Sequence, residues 1–140
     1  MLHEIFKGMD NAAEQINDNF KKLAIEYGEI AGNSEEESSS YYIFESGLQI
    51  VLFKVKLNNL PITTTVGGMY RSQQNTIYYR KNFKEGTKPS VAFELSGQSM
   101  LSKGSPVSEP GYDGFATYIL RPSSITGDVF VTGIAMGVAE

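Results

Sequence analysis

Apolar positions near the N-terminus recur at intervals of alternately four and three residues: Met9, Ala13, Ile16, Phe20, Leu23, Tyr27 and Ile30. That spacing is a narrow heptad seam, unlike the broader stripe of a helix lying on its own domain. Asn11 is placed to cap the helix, with Glu14 three residues on as a capping-box partner. Gly28 falls where a left-handed residue would end or loosen it. An isolated helix of about 17–20 residues is marginal in water, so the pattern predicts self-association through residues 1–32. Phe20 and Tyr27 are bulky for a two-stranded seam and favour three or more strands. The competing reading is that the stripe packs on the protein's own head.

Residues 32–40 read Gly-Asn-Ser-Glu-Glu-Glu-Ser-Ser-Ser, with no apolar side chain and three adjacent carboxylates. This predicts a flexible linker over 33–40. From Tyr41 the grammar is that of strands. β-Branched and aromatic runs cover 41–44, 48–57, 69–70, 76–80, 91–95, 115–120 and 129–136. Turn-forming clusters separate them: Asn58-Asn59, Gly67-Gly68, residues 72–75, 104–113 and 122–127. Leu48–Leu57 is apolar on both alternating faces and so belongs at the centre of a sheet. The expected fold is mainly β: an N-terminal α-helix forming a trimeric bundle, followed by an antiparallel β-sandwich head over 41–140.

Composition narrows the chemistry. The chain has 140 residues, no cysteine and a single histidine, His3. Disulfides, thiolate metal sites and cysteine nucleophiles are excluded, and a Ser-His-Asp triad or multi-histidine metal site has almost nothing to be built from. The expectation is a protein that is not an enzyme and that needs neither cofactor nor metal. No apolar run is long enough for a transmembrane helix, and the N-terminus lacks a secretory signal pattern. Charge divides unevenly: residues 1–40 carry three basic and nine acidic side chains, residues 41–140 nine and seven. An acidic stalk and a mildly basic head are therefore expected.

The segment Phe6-Lys7-Gly8-Met9-Asp10-Asn11-Ala12-Ala13-Glu14-Gln15-Ile16-Asn17-Asp18-Asn19-Phe20 resembles the N-terminal segment of baseplate receptor-binding proteins from lactococcal siphophages and related phages of Gram-positive hosts. In that family this segment is a trimeric helical shoulder plugged into the baseplate, and a C-terminal head binds host wall polysaccharide. The head is similar to the β-sandwich tips of phage tail fibres and related lectin-like domains at Gly68-Met69-Tyr70-Arg71-Ser72, at Phe83 with Lys88-Pro89-Ser90-Val91, and at residues 131–137, although it has no tryptophan. The resemblance implies a homotrimer at the virion tail tip, made in the host cytoplasm. Its partners would be other baseplate or tail proteins and a host wall polysaccharide or teichoic acid.

Saccharide recognition calls for aromatic faces together with amides, carboxylates or guanidinium groups. The stretch 104–114 offers Glu109, Tyr112 and Asp113, with Arg121 just past the following strand. Tyr79 and Arg80 belong to the densest aromatic and basic cluster, Tyr78-Tyr79-Arg80-Lys81. These six residues (Tyr79, Arg80, Glu109, Tyr112, Asp113 and Arg121) are the candidate saccharide site. With Lys84 and Lys88, Arg80 and Lys81 could steer an anionic polymer toward the head or serve only as a solubilising surface. Nucleic acid is not expected as a partner of an acidic chain without a nucleic-acid motif. A purely structural role in baseplate or fibre assembly, with no saccharide bound, is the alternative function.

Overall fold

The computed structural model describes residues 12–97 and 109–140. One helix, α1 (Ala12–Leu23), precedes nine strands: β1 (Glu26–Ala31), β2 (Ser38–Ile43), β3 (Leu48–Val66), β4 (Met69–Ser72), β5 (Asn75–Tyr78), β6 (Ser90–Gly97), β7 (Gly114–Thr117), β8 (Leu120–Arg121) and β9 (Ile125–Val138). All pairings are antiparallel. Seven strands form one sheet in the order β1-β2-β3-β4-β8, with β9 on the other side of β3 and β6 beyond β9. β5 and β7 form a separate ribbon. Every one of the seven runs picked out by β-branched and aromatic content contains a strand, and the run 48–57 is central, flanked by β2 and β9.

The long β3 is the spine of the fold. Its odd positions Val51 and Phe53 point to the same side as Phe93 of β6 and Val131 and Ala135 of β9. Ile77 of β5, Phe115 of β7, and Tyr79 and Phe83 from the following segment close over them. Five rings meet there: Phe93 and Phe115 have centroids 4.8 Å apart, Tyr79 and Phe83 5.4 Å, and Phe53 and Phe115 5.9 Å. Edge-on and tilted contacts of this kind add about 0.5–1.5 kcal/mol per pair beyond area burial. The layer opposite the large sheet is thus a two-stranded ribbon plus a loop segment, not a second broad sheet. A smaller cluster, Leu60, Ile62, Ile119 and Val129, continues the core under the far end of β3.

Turns follow the local chemistry. Gly67 and Gly68 both have positive φ, 55° and 81°, and close the tight β3–β4 hairpin; that backbone is one L-residues resist, hence the glycine pair. Asn58-Asn59, expected as a turn, is instead a bulge inside β3, where the register against β9 shifts between Leu57 and Leu60. Asn59 takes φ 46° there, and its N–H donates to Asp128 Oδ1 at 2.9 Å.

The N-terminal region departs from expectation. α1 stops at Leu23, and residues 26–31, which carry the seam positions Tyr27 and Ile30, form β1. The strand wins because β2 offers it a complete ladder, from Glu26 opposite Ile43 to Ala31 opposite Ser38. Gly28 does not end a helix: it lies opposite Tyr41, and a Cβ there would sit 2.3 Å from that ring. Phe20 packs edge-on against Tyr42 and Phe44 of its own head, with centroids 5.8 and 6.2 Å away. Leu23 is 71% exposed. Met9 lies outside the described residues, as do the side chains of Ala13 and Ile16. The linker expected over 33–40 is a tight turn followed by β2, whose serines pair with β1 and β3.

Candidate binding site

Strand register arranges the outer face of the large sheet into transverse rows. One row runs Ala31–Ser38–Lys54–Thr132–Glu94 across β1, β2, β3, β9 and β6. The next runs Glu29–Ser40–Leu52–Ile134–Ala92, and the third Tyr27–Tyr42–Ile50–Met136–Ser90. Because period-two alternation puts short side chains (Ala31, Ser38, Ser40) between larger neighbours, the sheet surface dips. The resulting groove has a volume of about 1050 Å³ and is lined by Glu29, Ser38, Ser40, Leu52, Lys54 and Thr132, among others.

The groove mixes the hydroxyls of Ser38, Ser40 and Thr132 with an aliphatic floor and charges of both signs. Lys54 sits with its Nζ 4.8 Å from the Phe130 ring centroid and, among the described residues, enters no ion pair. Its neighbour Lys56 also faces Phe130 but is neutralised by Glu36 and by Asp128 at 3.5 Å. Glu29 accepts a hydrogen bond from the Tyr27 hydroxyl. A ligand with hydroxyl groups and one anionic group would find acceptors, donors and a cation in one place.

Glu37 anchors one end of this groove. Buried and beyond the end of the β2 ladder, its carboxylate accepts from Asn33 N at 2.6 Å, Lys56 N at 2.9 Å and Arg80 Nη2 at 3.0 Å. It therefore stands in for a missing strand neighbour at Lys56 and ties the β1–β2 hairpin to the segment after β5. Burial alone would raise its pKa; the backbone N–H groups of Lys56 and Asn33 and the Arg80 guanidinium outweigh that and hold it below the ordinary carboxylate value.

Of the six residues singled out from sequence, Tyr79, Tyr112 and Asp113 come together at the edge of the aromatic core, while Arg80, Glu109 and Arg121 lie apart from them in other pairings. Tyr79 is fully buried in the aromatic core, so it presents no ring to a ligand; Tyr78 is the exposed member of the pair, at 58%. Among the described residues the Tyr79 hydroxyl has no hydrogen-bond partner, and burial pushes its pKa above the ordinary tyrosine value. Arg80, at φ 69°, is committed to Glu37. Tyr112 packs against the core, and its carbonyl and that of Asp113 accept from Phe83 N and Tyr79 N. Glu109 is exposed and paired with Lys88. Arg121 lies beside Tyr70 at the smaller core cluster, nine-tenths buried, its Nε and Nη1 without acceptors among the described residues. The groove residues escaped the sequence reading because Ser38 and Ser40 lie in a run of polar residues that carries no strand signal.

Comparison with protein-family models, with curated proteins and with solved structures found no match. What the described residues establish is a mainly β, antiparallel protein with an open groove on one sheet face.

Proposed function

We propose that this protein is a phage tail or baseplate receptor-binding protein whose β head binds a host wall saccharide or teichoic acid in the groove around Lys54. The observation that carries the reading is the row of hydroxyls on the open face, Ser38–Lys54–Thr132 with Ser40 alongside, with a Lys54 ammonium that enters no ion pair among the described residues. The resemblance over residues 6–20 to siphophage shoulder segments supports it, as does an antiparallel β head downstream. On this reading the protein is a homotrimer in the virion tail tip. Its N-terminal region provides the contact with other baseplate proteins, and the head works without catalysis, cofactor or metal. Identical heads on one axis raise a weak single-site affinity by multivalency on a repetitive wall polymer.

The test is adsorption of the full chain to purified cell walls of Gram-positive hosts at several salt concentrations. Binding is expected for at least one host, weakened about tenfold in Lys54→Gln and falling with salt because an anionic partner is steered by charge. Absence of adsorption to every wall preparation, or binding indifferent to Lys54→Gln, refutes the groove reading.

A second reading, assembly without saccharide binding, is favoured by a specific observation. Leu23 and Ile25 are 71% and 69% exposed, and Leu48, Met136 and Val138 are exposed together on the open face. Apolar surface of this kind marks protein contacts. Co-purification with tail proteins, with no retention on walls, is the outcome that selects it.

A further inference from the structure

A second cavity lies at the far half of β3, and it shares no lining residue with the groove. Its volume is about 220 Å³, and its walls are Leu60, Pro61, Thr63, Thr64, Gln73, Gln74 and Asn75. The chemistry is unusually uniform: two hydroxyls and three planar amides over a small apolar base. At about 30 Å³ per water the space holds roughly seven solvent molecules, and it falls below the range of about 300–1,000 Å³ typical of drug-sized ligand sites.

The backbone explains why these groups meet. Against β4 the register jumps from Ile62–Ser72 to Thr64–Arg71, so Thr63 is an extra residue in the spine strand. A bulge of this kind breaks the alternation of side chains and re-aims them, which is how the consecutive residues Thr63 and Thr64 come to line one cavity. On the opposite wall, residues 73–75 lead from the large sheet to the β5–β7 ribbon. Asn75 Nδ2 donates to Gln73 O at 2.8 Å and to Ser72 Oγ at 3.3 Å, which fixes the amide. Gln74 Oε1 accepts from the Tyr118 hydroxyl at 3.3 Å. The Tyr118 ring is in turn stacked by the Arg71 guanidinium, 4.4 Å from its centroid, and Arg71 is the cross-strand partner of Thr64.

This bracing leaves a defined set of groups unused. Among the described residues, the hydroxyls of Thr63 and Thr64, the side-chain amide of Gln73, the Nε2 of Gln74 and the Oδ1 of Asn75 make no hydrogen bond. They supply both donors and acceptors around one cavity, the complement that vicinal hydroxyls call for. Leu60 and Pro61 offer the C–H face of a ring something apolar to lie against.

We propose that the cavity at the β3 bulge binds a single sugar ring or short polyol through Thr63, Thr64, Gln73, Gln74 and Asn75, with Tyr118 as the positioning residue for Gln74. Among the described residues no charged side chain lines it, so the ligand is neutral at the point of contact, in contrast to the partner of the Lys54 groove. The site stands whether or not the groove binds a wall polymer.

The test is a chemical-shift titration of the full chain with D-glucose, N-acetyl-D-glucosamine, L-rhamnose and glycerol, each to about 100 mM. At least one probe is expected to shift the amides of residues 63–64 and 73–75 saturably, and to leave Ser38, Ser40 and Thr132 unmoved. Gln74→Ala and Thr63→Val, both at exposed positions, weaken that probe about tenfold each with an unchanged thermal midpoint. Tyr118→Phe weakens it as well, and shifts the Gln74 side-chain NH2 resonances in the free protein, a signature that loss of stability alone would not give. Silence from all four probes overturns the proposal, as do shifts confined to the groove or shifts that persist equally in Gln74→Ala. Failure to adsorb to walls, with these shifts intact, sinks the receptor reading and leaves this one standing.

Discussion

Removing the Glu37 carboxylate probes the junction on which both the hairpin and the groove depend. Three donors converge on it: Asn33 N, Lys56 N and Arg80 Nη2, at 2.6, 2.9 and 3.0 Å. Hydrogen bonds to a charged partner contribute about 1.5–3 kcal/mol each, and those that share one carboxylate do not add in full. Truncating one partner of a buried ion pair costs about 3–5 kcal/mol. The Arg80 side chain keeps 21% exposure, so water can recover part of its loss. The expected cost of Glu37→Ala is therefore about 3 kcal/mol. Glu37→Gln keeps a carbonyl acceptor but surrenders the charge, and should cost about half as much. Urea denaturation reads both, as a fall in midpoint at constant slope.

The pH dependence carries its own sign. Glu37 is held below its ordinary value of 4.5 in the folded protein. Its contribution is therefore fully present above that pH and lost as the pH falls through the lowered folded value. Glu37→Gln should flatten that part of the acid limb. A double-mutant cycle with Arg80→Met should return a coupling of about 1–3 kcal/mol. A Glu37→Ala cost below about 1 kcal/mol, with an unchanged acid limb, would show that the carboxylate is solvated and the hairpin held by the ladder alone.

Three further outcomes are expected. Gly28→Val should destabilise by about 1–3 kcal/mol, because the new side chain meets the Tyr41 ring; Tyr41→Ala in the same background should recover part of the loss in thermal melts. Tyr79→Phe should stabilise by about 1 kcal/mol, since it removes a buried hydroxyl with no partner among the described residues; a destabilised variant would mean that the hydroxyl is bonded. Because its folded pKa is raised, the stability linked to Tyr79 is complete below pH 10 and lost as the pH rises. Spectrophotometric titration should accordingly find one tyrosine that ionises only when the chain unfolds.

Much of the head was legible in the sequence. Runs such as Val91–Leu95 and Val129–Met136 pair a β-branched or aromatic core face with period-two alternation, and they became β6 and β9 in register with each other. The glycine pair at 67–68 carried its own turn, because its requirement is local backbone sterics. Residues 24–40 were illegible for the opposite reason. Tyr27 and Ile30 continue a heptad by spacing, yet as strand residues they fall on opposite faces of β1, and Tyr27 meets Tyr42 with centroids 5.2 Å apart. Neither residue's local pattern reveals that Ser38–Ile43 will offer a partner edge.

Sequence alone therefore determined the class of architecture: an amphipathic N-terminal segment, an abundance of short strands, and a central apolar spine at 48–57. Composition also bounded the chemistry, since a chain with no cysteine and one histidine can build neither a thiolate site nor a multi-histidine metal site within itself. Tertiary structure decided where any binding chemistry can occur. The groove joins Ala31, Ser38, Lys54 and Thr132 through three separate strand pairings, and the smaller cavity depends on one extra residue at Thr63. Tyr79, Arg80 and Arg121, prominent in sequence, were drawn into the core, an ion pair and a buried ladder. The physical reason is that strand register is a long-range property: a shift of one residue exchanges the faces of every side chain, and nothing local to a serine run or a tyrosine pair sets it.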